Sequence, residues 1–255
     1  MYDYIMIRYG DLILKGRNQK TFRMVLNKQL KNKLSHLNLQ FDFQHDMIYI
    51  KLNDVNPEEV ITILDRISGF SSYSKVVKTT YDIDQIGQLG AKLVNLESRG
   101  KTTTFKVETK RADKRISKTS LEISRDVSRI VLSQVPNLKV DVHEPELTLY
   151  IEARKDATYL YVNRIPGMGG FPVSMGGKAL VLLSGGIDSP VSAYLAMKTG
   201  LEVECIHFES TPMTSIESAQ KVIDLTEKLA LYAPDSKMKL HFVPFQKLHE
   251  QIIFN

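Results

Sequence analysis

The stretch LVLLSGGIDSP, residues 180–190, is the clearest indication of how the chain folds from residue 179 onward. An apolar run ends at Ser184, two glycines follow, and Asp188, Ser189 and Pro190 come next. This order predicts a strand, a tight glycine corner and the first turn of a helix, with Asp188 or Ser189 as the helix cap. Such a corner offers unpaired amides and the positive end of a helix dipole, which together can hold phosphate.

The type of phosphate loop follows from the spacing of its residues. A Walker A loop needs a lysine after its glycines, whereas Gly176-Gly177-Lys178 lies before the strand. A dinucleotide fingerprint needs three spaced glycines, and only the adjacent pair Gly185-Gly186 is present. The string Ser-Gly-Gly-x-Asp-Ser, residues 184–189, resembles the signature of the PP-loop ATP pyrophosphatases. That resemblance implies a loop that grips pyrophosphate while ATP is cleaved between its α and β phosphates.

The residues from 179 onward predict a parallel α/β sheet. Strands are expected at 179–184, 203–208 and 238–243, and helices at 190–199, 215–230 and 246–253. Ligands of open α/β sheets bind at the carboxyl ends of strands, so the backbone of Leu183 and Ser184 and that of Phe208 and Glu209 should line one crevice. His207 lies there too, and a lone histidine on a strand is more often structural. Three β-α units are few for a doubly wound domain, so this PP-loop domain is expected to be incomplete.

The residues before 166 predict two smaller α+β units. The first has the order β-α-β-α-β and is expected to be a ferredoxin-like sandwich. The second begins near Asp82 and contains helix, strand, helix and three strands, with Thr119 and Glu122 as a capping box. Residues 166–178 hold five glycines and two prolines and predict a linker with little that could pack. The expected domain bounds are 1–76, 77–165, 166–178 for the linker, and 179–255.

Composition and charge restrict the class of protein. The 255 residues carry a net charge of +5, concentrated in residues 1–40, with 8 basic and 2 acidic side chains, and residues 101–140, with 10 and 4. This asymmetry favours a polyanion-binding half, although lysine-rich helix faces would give a similar count. One cysteine fits a reducing cytosol. No apolar run approaches the roughly 20 residues of a membrane helix, and no signal peptide is recognised, so a cytoplasmic protein without a membrane partner is expected.

Over its whole length the sequence is similar to the tRNA 4-thiouridine synthetases, or tRNA sulfurtransferases. The similarity is carried by IMIRYGDLILKGRN, residues 5–18, by LLSGGIDSPVSAYLAMKTG, residues 182–200, and by VECIHFES, residues 203–210. It implies a ferredoxin-like domain, a THUMP domain of α/β type and a parallel-sheet PP-loop domain of the adenine nucleotide α-hydrolase type.

The resemblance also implies an RNA-binding role for the basic residues, because THUMP domains dock the tRNA acceptor end in this family. Phosphate contacts need positive charge rather than specific residue types, so the patches matter more than any single member. Lys20 and Arg23 join the candidates of the first domain. The RNA-binding candidates are Lys15, Arg17, Lys110, Arg111, Lys114, Arg115, Lys118, Arg125 and Arg129.

The chemistry that the resemblance implies uses ATP with Mg²⁺. The O4 of a tRNA uridine, position eight in the family, attacks the α phosphorus, and a persulfide sulfur from a cysteine desulfurase then displaces AMP. Asp188 and Ser184 are the candidate catalytic residues, and no residue is assigned as a metal ligand. The candidate nucleotide-binding residues are Leu183, Ser184, Gly185, Gly186, Asp188, Ser189, Phe208 and Glu209. Some family members also feed sulfur into thiamine synthesis.

Cys205 is not expected to carry sulfur. It lies within an apolar strand, where a thiol is usually buried and inert. The resemblance implies that the sulfur-handling cysteines lie beyond residue 255. The sequence leaves the oligomeric state open, a homodimer included.

Three other functions stay in competition. An amidating or ligating PP-loop enzyme, such as the GMP or NAD synthetases, would keep the ATP chemistry but has no need of a polyanion-binding half. A non-catalytic RNA-binding THUMP protein would carry the loop as a vestige. A THUMP-type RNA methyltransferase would need a glycine-rich S-adenosylmethionine loop after a strand, and none is seen in residues 1–255.

Overall fold

A computed structural model describes residues 1–10, 18–211, 213 and 215–254. The candidates Lys15 and Arg17 lie outside the described residues. Within the described part of the chain, no helix combines the length and apolar character that crossing a membrane requires. The chain forms two compact units: Met1–Ile7, Asn38–Pro57 and Tyr73–Ile165 make the first, and Arg8–Leu37, Glu58–Ser72 and Pro166–Asn255 make the second.

Nine strands form one sheet. They are β1 (Tyr4–Arg8), β2 (Gln40–Phe43), β3 (Met47–Lys51), β4 (Ser72–Thr79), β5 (Thr103–Arg111), β6 (Leu138–Val140), β7 (Leu147–Ala153), β8 (Thr158–Val162) and β9 (Ile165–Pro166). Their order is β2-β3-β1-β4-β8-β7-β5-β6, with β9 paired to β4. Strand β2 was not predicted, because QFDF is short and alternates between exposed and half-buried positions without a continuous apolar run.

The helices before residue 166 are α1 (Gln19–Lys33), α2 (Pro57–Leu64), α3 (Ile83–Ser98) and α4 (Ser120–Gln134). Chain order through β4 is therefore β-α-β-β-α-β, the ferredoxin-like arrangement. The predicted capping box at α4 is confirmed: Glu122 N donates to Thr119 Oγ1 at 3.3 Å, and Thr119 N donates to Glu122 Oε2 at 2.7 Å. Helix α3 packs closely on its neighbours, since a Cβ on Gly87 would lie 2.6 Å from Ile130 Cδ1.

The second unit contains a three-stranded parallel sheet in the order β10-β11-β12, as the alternating pattern predicts. Its elements are β10 (Lys178–Leu182), α5 (Asp188–Lys198), β11 (Glu202–Glu209), α6 (Ile216–Ala230), β12 (Leu240–Pro244) and α7 (Gln246–Phe254). Ala193 and Met197 of α5 and Val222 and Leu229 of α6 are buried in a core that includes Leu183.

The segment 166–178 is not the unpacked linker that its glycines predict. Val173 is only 4% exposed and belongs to the core of the second unit, where Gln29 Nε2 donates to its carbonyl at 2.7 Å. Gly176 N donates to Gly200 O at 2.8 Å, and Phe171 N donates to Lys198 O at 3.0 Å. The prediction was wrong because composition shows the flexible residues but not the partners that fix their backbone.

Candidate nucleotide-binding site and basic surface

The corner from Ser184 to Ile187 joins β10 to α5 at the carboxyl edge of the parallel sheet. Leu182 pairs with Ile206 of β11, and Leu183 N donates to Ile206 O at 2.8 Å. The strand-to-helix context that the loop signature requires is therefore present. Because β10 and β11 are parallel neighbours, their carboxyl ends, and with them Ser184 and Glu209, lie at the same edge of the sheet.

Two serine hydroxyls hold the corner in shape. Ser184 N donates to Ser189 Oγ at 2.9 Å, and the two hydroxyl oxygens lie 3.1 Å apart. Gly186 N donates to Ser184 Oγ at 3.3 Å. The amides of Ser184 and Gly186 are thus engaged within the loop, whereas those of Gly185 and Ile187 have no hydrogen-bond partner among the described residues. These two amides are available to an anion.

Neither Asp188 nor Ser189 caps α5. The N-cap residue is Ile187, whose side chain cannot accept a hydrogen bond, and Asp188 is the first residue of the helix. The prediction was wrong because the helix begins at Asp188, two residues earlier than the expected start at 190, and Ser189 turns back to Ser184. The exposed Asp188 carboxylate lies in the first turn, where the helix dipole favours negative charge. Asp188 is therefore free to contact a ligand or a ligand-bound cation.

Gly185 and Gly186 allow a ligand to come close to the loop backbone, and neither is needed for an unusual backbone conformation. Neither Gly185 nor Gly186 has a positive φ, so the expected conformational reason for glycine does not apply. A Cβ on Gly185 would lie 3.4 Å from Lys221 Cδ, and one on Gly186 would lie 3.4 Å from Ser184 Oγ. Both are ordinary contact distances, so the missing side chains leave room above the loop. Lys221 was not identified from the sequence.

The end of β11 is braced against the loop strand by His207. Its Nδ1 lies 2.9 Å from Leu183 O, and since a carbonyl only accepts, Nδ1 carries the proton. Its ring meets that of Phe242 edge-on at 5.7 Å between centroids. With its amide and carbonyl both hydrogen-bonded, Leu183 helps to fix the strand ends. His207 has the structural role that the sequence favoured.

The two candidates that follow His207 differ in their surroundings. Phe208 is 45% exposed, and its ring packs against that of Phe245 at 5.2 Å between centroids. Glu209 Oε1 accepts a hydrogen bond from Thr211 N at 2.6 Å. Hydrogen bonds from Thr211 hold the pKa of Glu209 below its usual value, so this carboxylate is charged at neutral pH. An anionic group therefore lies at the same sheet edge as the phosphate loop.

The basic candidates after β5 fall into two groups. Lys118 and Arg129 both pair with Asp126, at 2.7 and 3.4 Å. Arg115 Nη2 lies 2.6 Å from Asp113 Oδ2, and hydrogen bonds from Arg115 lower the pKa of Asp113 to about 2. The second group is exposed and forms no salt bridge among the described residues, although Arg125 interacts electrostatically with Asp126; its members are Lys110, Lys114 and Arg125.

The Arg111 side chain is hydrogen-bonded to carbonyl groups of its own loop. Its Nη1 donates to Ile116 O at 2.8 Å and to Lys118 O at 3.1 Å. The guanidinium therefore closes the turn that precedes α4, and only part of it is left for phosphate. Sequence alone could not separate Arg111 from Lys110, because the difference lies in how the loop folds back.

A cavity lined by aromatic and charged residues on the same unit was not predicted from the sequence. The Arg164 guanidinium lies 4.5 Å above the Tyr150 ring, which stacks on Tyr161 at 4.9 Å. With Lys110 and Glu108 they line a cavity of about 420 Å³. Tyr161 is fully buried and Arg164 is exposed, so the guanidinium is the group here that could stack an unpaired base, as arginine does in RNA-binding proteins. The signal in the sequence is Tyr150 in β7 together with the alternating Tyr159 and Tyr161 of β8.

Cys205 is not a reactive thiol. It is fully buried, with Sγ 3.6 Å from Met238 Sδ, and burial raises its pKa to about 11. Only the thiolate is a nucleophile, so this residue is inert at neutral pH, as its place within β11 led us to expect.

Three family models together match almost the whole chain. Family models match residues 4–74 as the ThiI ferredoxin-like domain, 80–163 as the THUMP domain and 174–255 as Thiamine biosynthesis protein (ThiI). A protein named "Probable tRNA sulfurtransferase" from Acholeplasma laidlawii is 51% identical over 249 residues, which are 98% of this chain and 60% of that protein. A protein of the same name from Anoxybacillus flavithermus is 42% identical over 253 residues, or 98% and 63%. The chain thus spans about three fifths of these relatives.

Two solved structures agree with this placement. A 4-thiouridine synthetase in complex with RNA and bound ATP superposes with a TM-score of 0.85 at 30% identity, covering 99% of this chain and 64% of that one. A Pyrococcus horikoshii protein shares the fold with a TM-score of 0.77 at 24% identity, covering 99% and 82%. The chain therefore carries a ferredoxin-like ThiI domain, a THUMP domain and a ThiI region in this order, and it resembles these proteins over almost its whole length.

Proposed function

We propose that this protein is an ATP-dependent tRNA sulfurtransferase that converts a tRNA uridine, at position eight, into 4-thiouridine. The observation that carries the proposal is the Ser184–Ser189 loop, which stands between a parallel strand and a helix with the amides of Gly185 and Ile187 unengaged. It lies in a chain 30% identical to a 4-thiouridine synthetase whose structure contains RNA and ATP. Likeness to proteins named tRNA sulfurtransferase supports the same activity.

In the proposed first half-reaction, uridine O4 attacks the α phosphorus of ATP. A new P–O bond forms, the bond between the α phosphorus and the α–β bridging oxygen breaks, and pyrophosphate leaves with that electron pair. The amides of Gly185 and Ile187 and the N-terminus of α5 would bind the departing pyrophosphate. The hydroxyls of Ser184 and Ser189 keep the loop in the required shape.

The oxygen donors at the loop fit Mg²⁺. Asp188 offers an exposed carboxylate, and Ser184 and Ser189 offer hydroxyls, the hard ligands that this ion prefers. In the described part of the chain, no three His, Cys, Asp or Glu side chains cluster to hold a metal ion. We therefore assign Asp188 as the protein ligand of an ion that arrives with the phosphates, where it would neutralise their charge.

In the proposed second half-reaction, the terminal sulfur of a persulfide attacks C4, which the adenylyl group has made electrophilic. AMP leaves with the O4 oxygen, and a thiol then breaks the S–S bond, so that sulfur stays on the base and two thiols end as a disulfide. The buried Cys205 is unsuited to this step. We propose that a cysteine desulfurase supplies the persulfide and that the same sulfur also serves thiamine synthesis.

We propose that tRNA binds through the exposed cations near α4 and the cavity at Tyr150 and Arg164. The domains assigned to these tasks are 1–76 and 77–165 for RNA, and 179–255 for ATP. The protein would act in the cytoplasm. The excess of positive charge in residues 1–40 and 101–140 supports a polyanionic substrate over a small molecule.

Mass spectrometry of tRNA nucleosides tests the function. Cells that lack the gene should lose 4-thiouridine, the unaltered gene should restore it, and a gene carrying Asp188→Ala should not. Purified Asp188→Ala protein should still bind tRNA, since Asp188 lies on α5 and not among the basic candidates. Undiminished 4-thiouridine in the deletion strain would refute the proposal.

A further inference from the structure

Lys221 reaches across from α6 to the phosphate loop. Its Cδ lies 3.4 Å, and its Cε 4.0 Å, from the point that a Cβ on Gly185 would occupy. Both residues belong to the second unit. The Lys221 side chain is exposed and makes no ion pair with any residue in the described ranges. An uncompensated lysine therefore lies directly beside the glycine whose amide is open.

The fold fixes this position through the packing of α6 on α5. Leu225, one turn beyond Lys221, lines a groove with Val191 and Tyr194 of α5. Residues four apart share a helix face, so Lys221 lies on the same face of α6, nearer to the N-terminus of α5. The phosphate loop lies at that N-terminus. The packing of α6 on α5 therefore brings Lys221, which is remote in sequence, beside Gly185.

We propose that Lys221 binds the phosphate tail of the nucleotide. The loop has no lysine after its glycines, unlike a Walker A loop, and its own ligands are two amides and neutral hydroxyls. A lysine ammonium is a flexible, strongly hydrated cation with three donors, well suited to phosphate. Lys221 supplies from a neighbouring helix the positive charge that the loop sequence lacks. This inference rests on the proposed ATP-binding function of the loop.

A methyl group on Gly185 would touch the aliphatic stem of Lys221 at an ordinary van der Waals distance, so this stem borders the space above the loop. An ammonium group held this way should interact with ligands that carry β and γ phosphates. It should matter little for adenosine, which has no phosphate.

Lys228 is a matched control. It lies two turns further along α6, about 10 Å away, and lines the same groove between α5 and α6. Replacing either lysine removes one positive charge from the same helix. Only Lys221 lies beside Gly185, so a general effect of charge or helix stability should affect both variants equally.

Titration calorimetry of the full-length protein tests the proposal with ATP, inorganic pyrophosphate and adenosine. We expect Lys221→Ala to weaken ATP and pyrophosphate binding about tenfold or more, the size of a lost charge-assisted hydrogen bond, and to leave adenosine within about twofold. Lys221→Arg should recover most of the affinity, and Lys228→Ala should match the wild type.

Three results would overturn the inference. Unchanged ATP affinity in Lys221→Ala, with a wild type that binds ATP, would remove Lys221 from the site while the proposed function stands. Equal losses for ATP and adenosine, together with a lower melting temperature, would assign Lys221 to the fold. A wild type that binds neither ATP nor pyrophosphate would refute the proposed function itself.

Discussion

Ser189 Oγ accepts a hydrogen bond from Ser184 N at 2.9 Å and donates one to Ser184 O at 3.2 Å. One hydroxyl thus satisfies both backbone groups of the residue that opens the loop. A serine at the start of a helix would ordinarily cap it, but here it pulls the preceding strand end toward the helix. The loop is therefore shaped before a ligand arrives, which reduces the ordering cost of binding.

Replacing Ser189 with alanine should loosen this loop and weaken ATP binding. The variant leaves Ser184 N without its partner, and each such hydrogen bond contributes roughly 0.5–1.5 kcal/mol. We expect ATP affinity to fall about three- to tenfold in calorimetry, with the melting temperature nearly unchanged because the loop is exposed.

Ser192→Ala is the control for this change. Ser192 lies one turn further along α5, and its hydroxyl donates to Asp188 O at 2.9 Å, an ordinary bond within the helix. Its removal should leave ATP affinity within about twofold, since it does not touch the corner. Equal losses in both variants would show that the effect comes from α5 and not from the Ser184–Ser189 pair.

Gly185→Ala should spare the fold and impair the site. Gly185 has no positive φ, and the added methyl would meet Lys221 Cδ at 3.4 Å, an ordinary contact. We expect a melting temperature close to that of the wild type and ATP affinity reduced about tenfold, because the methyl occupies the space next to the open amide.

The contrasting variant is Gly200→Ala. Gly200 has φ +95°, and a Cβ there would lie 3.0 Å from Phe171 Cβ and 3.2 Å from Pro172 O. This change should cost about 1–3 kcal/mol of unfolding free energy. A Gly185→Ala protein as destabilised as Gly200→Ala would contradict the view that Gly185 serves the ligand.

The cations that form no salt bridge within the described residues should dominate tRNA binding. Lys110, Lys114 and Arg125 are exposed and unpaired among the described residues, whereas Lys118 and Arg129 share Asp126. Replacing the first three with alanine should weaken tRNA binding and reduce the slope of log K against log salt by about one for each lost phosphate contact.

Arg115→Ala serves as the comparison for these cations. Its charge is largely compensated by Asp113, at 2.6 Å, so its loss should change the salt slope less than the loss of any one unpaired cation. A filter-binding series from low to physiological salt would measure both slopes. A triple variant with the wild-type slope would remove this surface from the tRNA footprint.

The features that the sequence predicted correctly depend on residues close together in the chain. The Thr119 and Glu122 box at α4 depends on residues three apart, and the loop signature at 184–189 is a single stretch. What it missed depends on the folded chain. Val173 is buried in a glycine-rich segment because other parts of the second unit cover it, and Arg111 is occupied by carbonyls that a folded loop presents. Lys221 becomes a site residue only when α6 packs on α5.

Lys33 should make the stability of the second unit depend on pH. Its Nζ donates to Leu231 O at 2.7 Å and lies 3.4 Å from Ser236 Oγ. Burial, followed by repulsion from Arg66, lowers its pKa from 10.5 to about 8, although Asp235 opposes the shift.

The sign of the effect follows from proton binding. Between pH 8 and 10.5 the unfolded chain holds more protons on Lys33 than the folded protein does, so unfolding free energy rises with pH in this window. The contribution of Lys33 to the unfolding free energy is complete above its unfolded pKa of 10.5, and it is lost as the pH falls through about 8. Lys33→Met, which keeps most of the apolar stem, should remove this rise.

Melting temperatures of the wild type and Lys33→Met, measured from pH 7 to 10, test this prediction. As the pH increases, the melting temperature of the wild type should increase relative to that of Lys33→Met. Lys31→Met, which removes a positive charge from the exposed side of the same helix turn, provides the control. A constant difference between wild type and Lys33→Met across this range would show that Lys33 keeps its ordinary pKa in the folded protein.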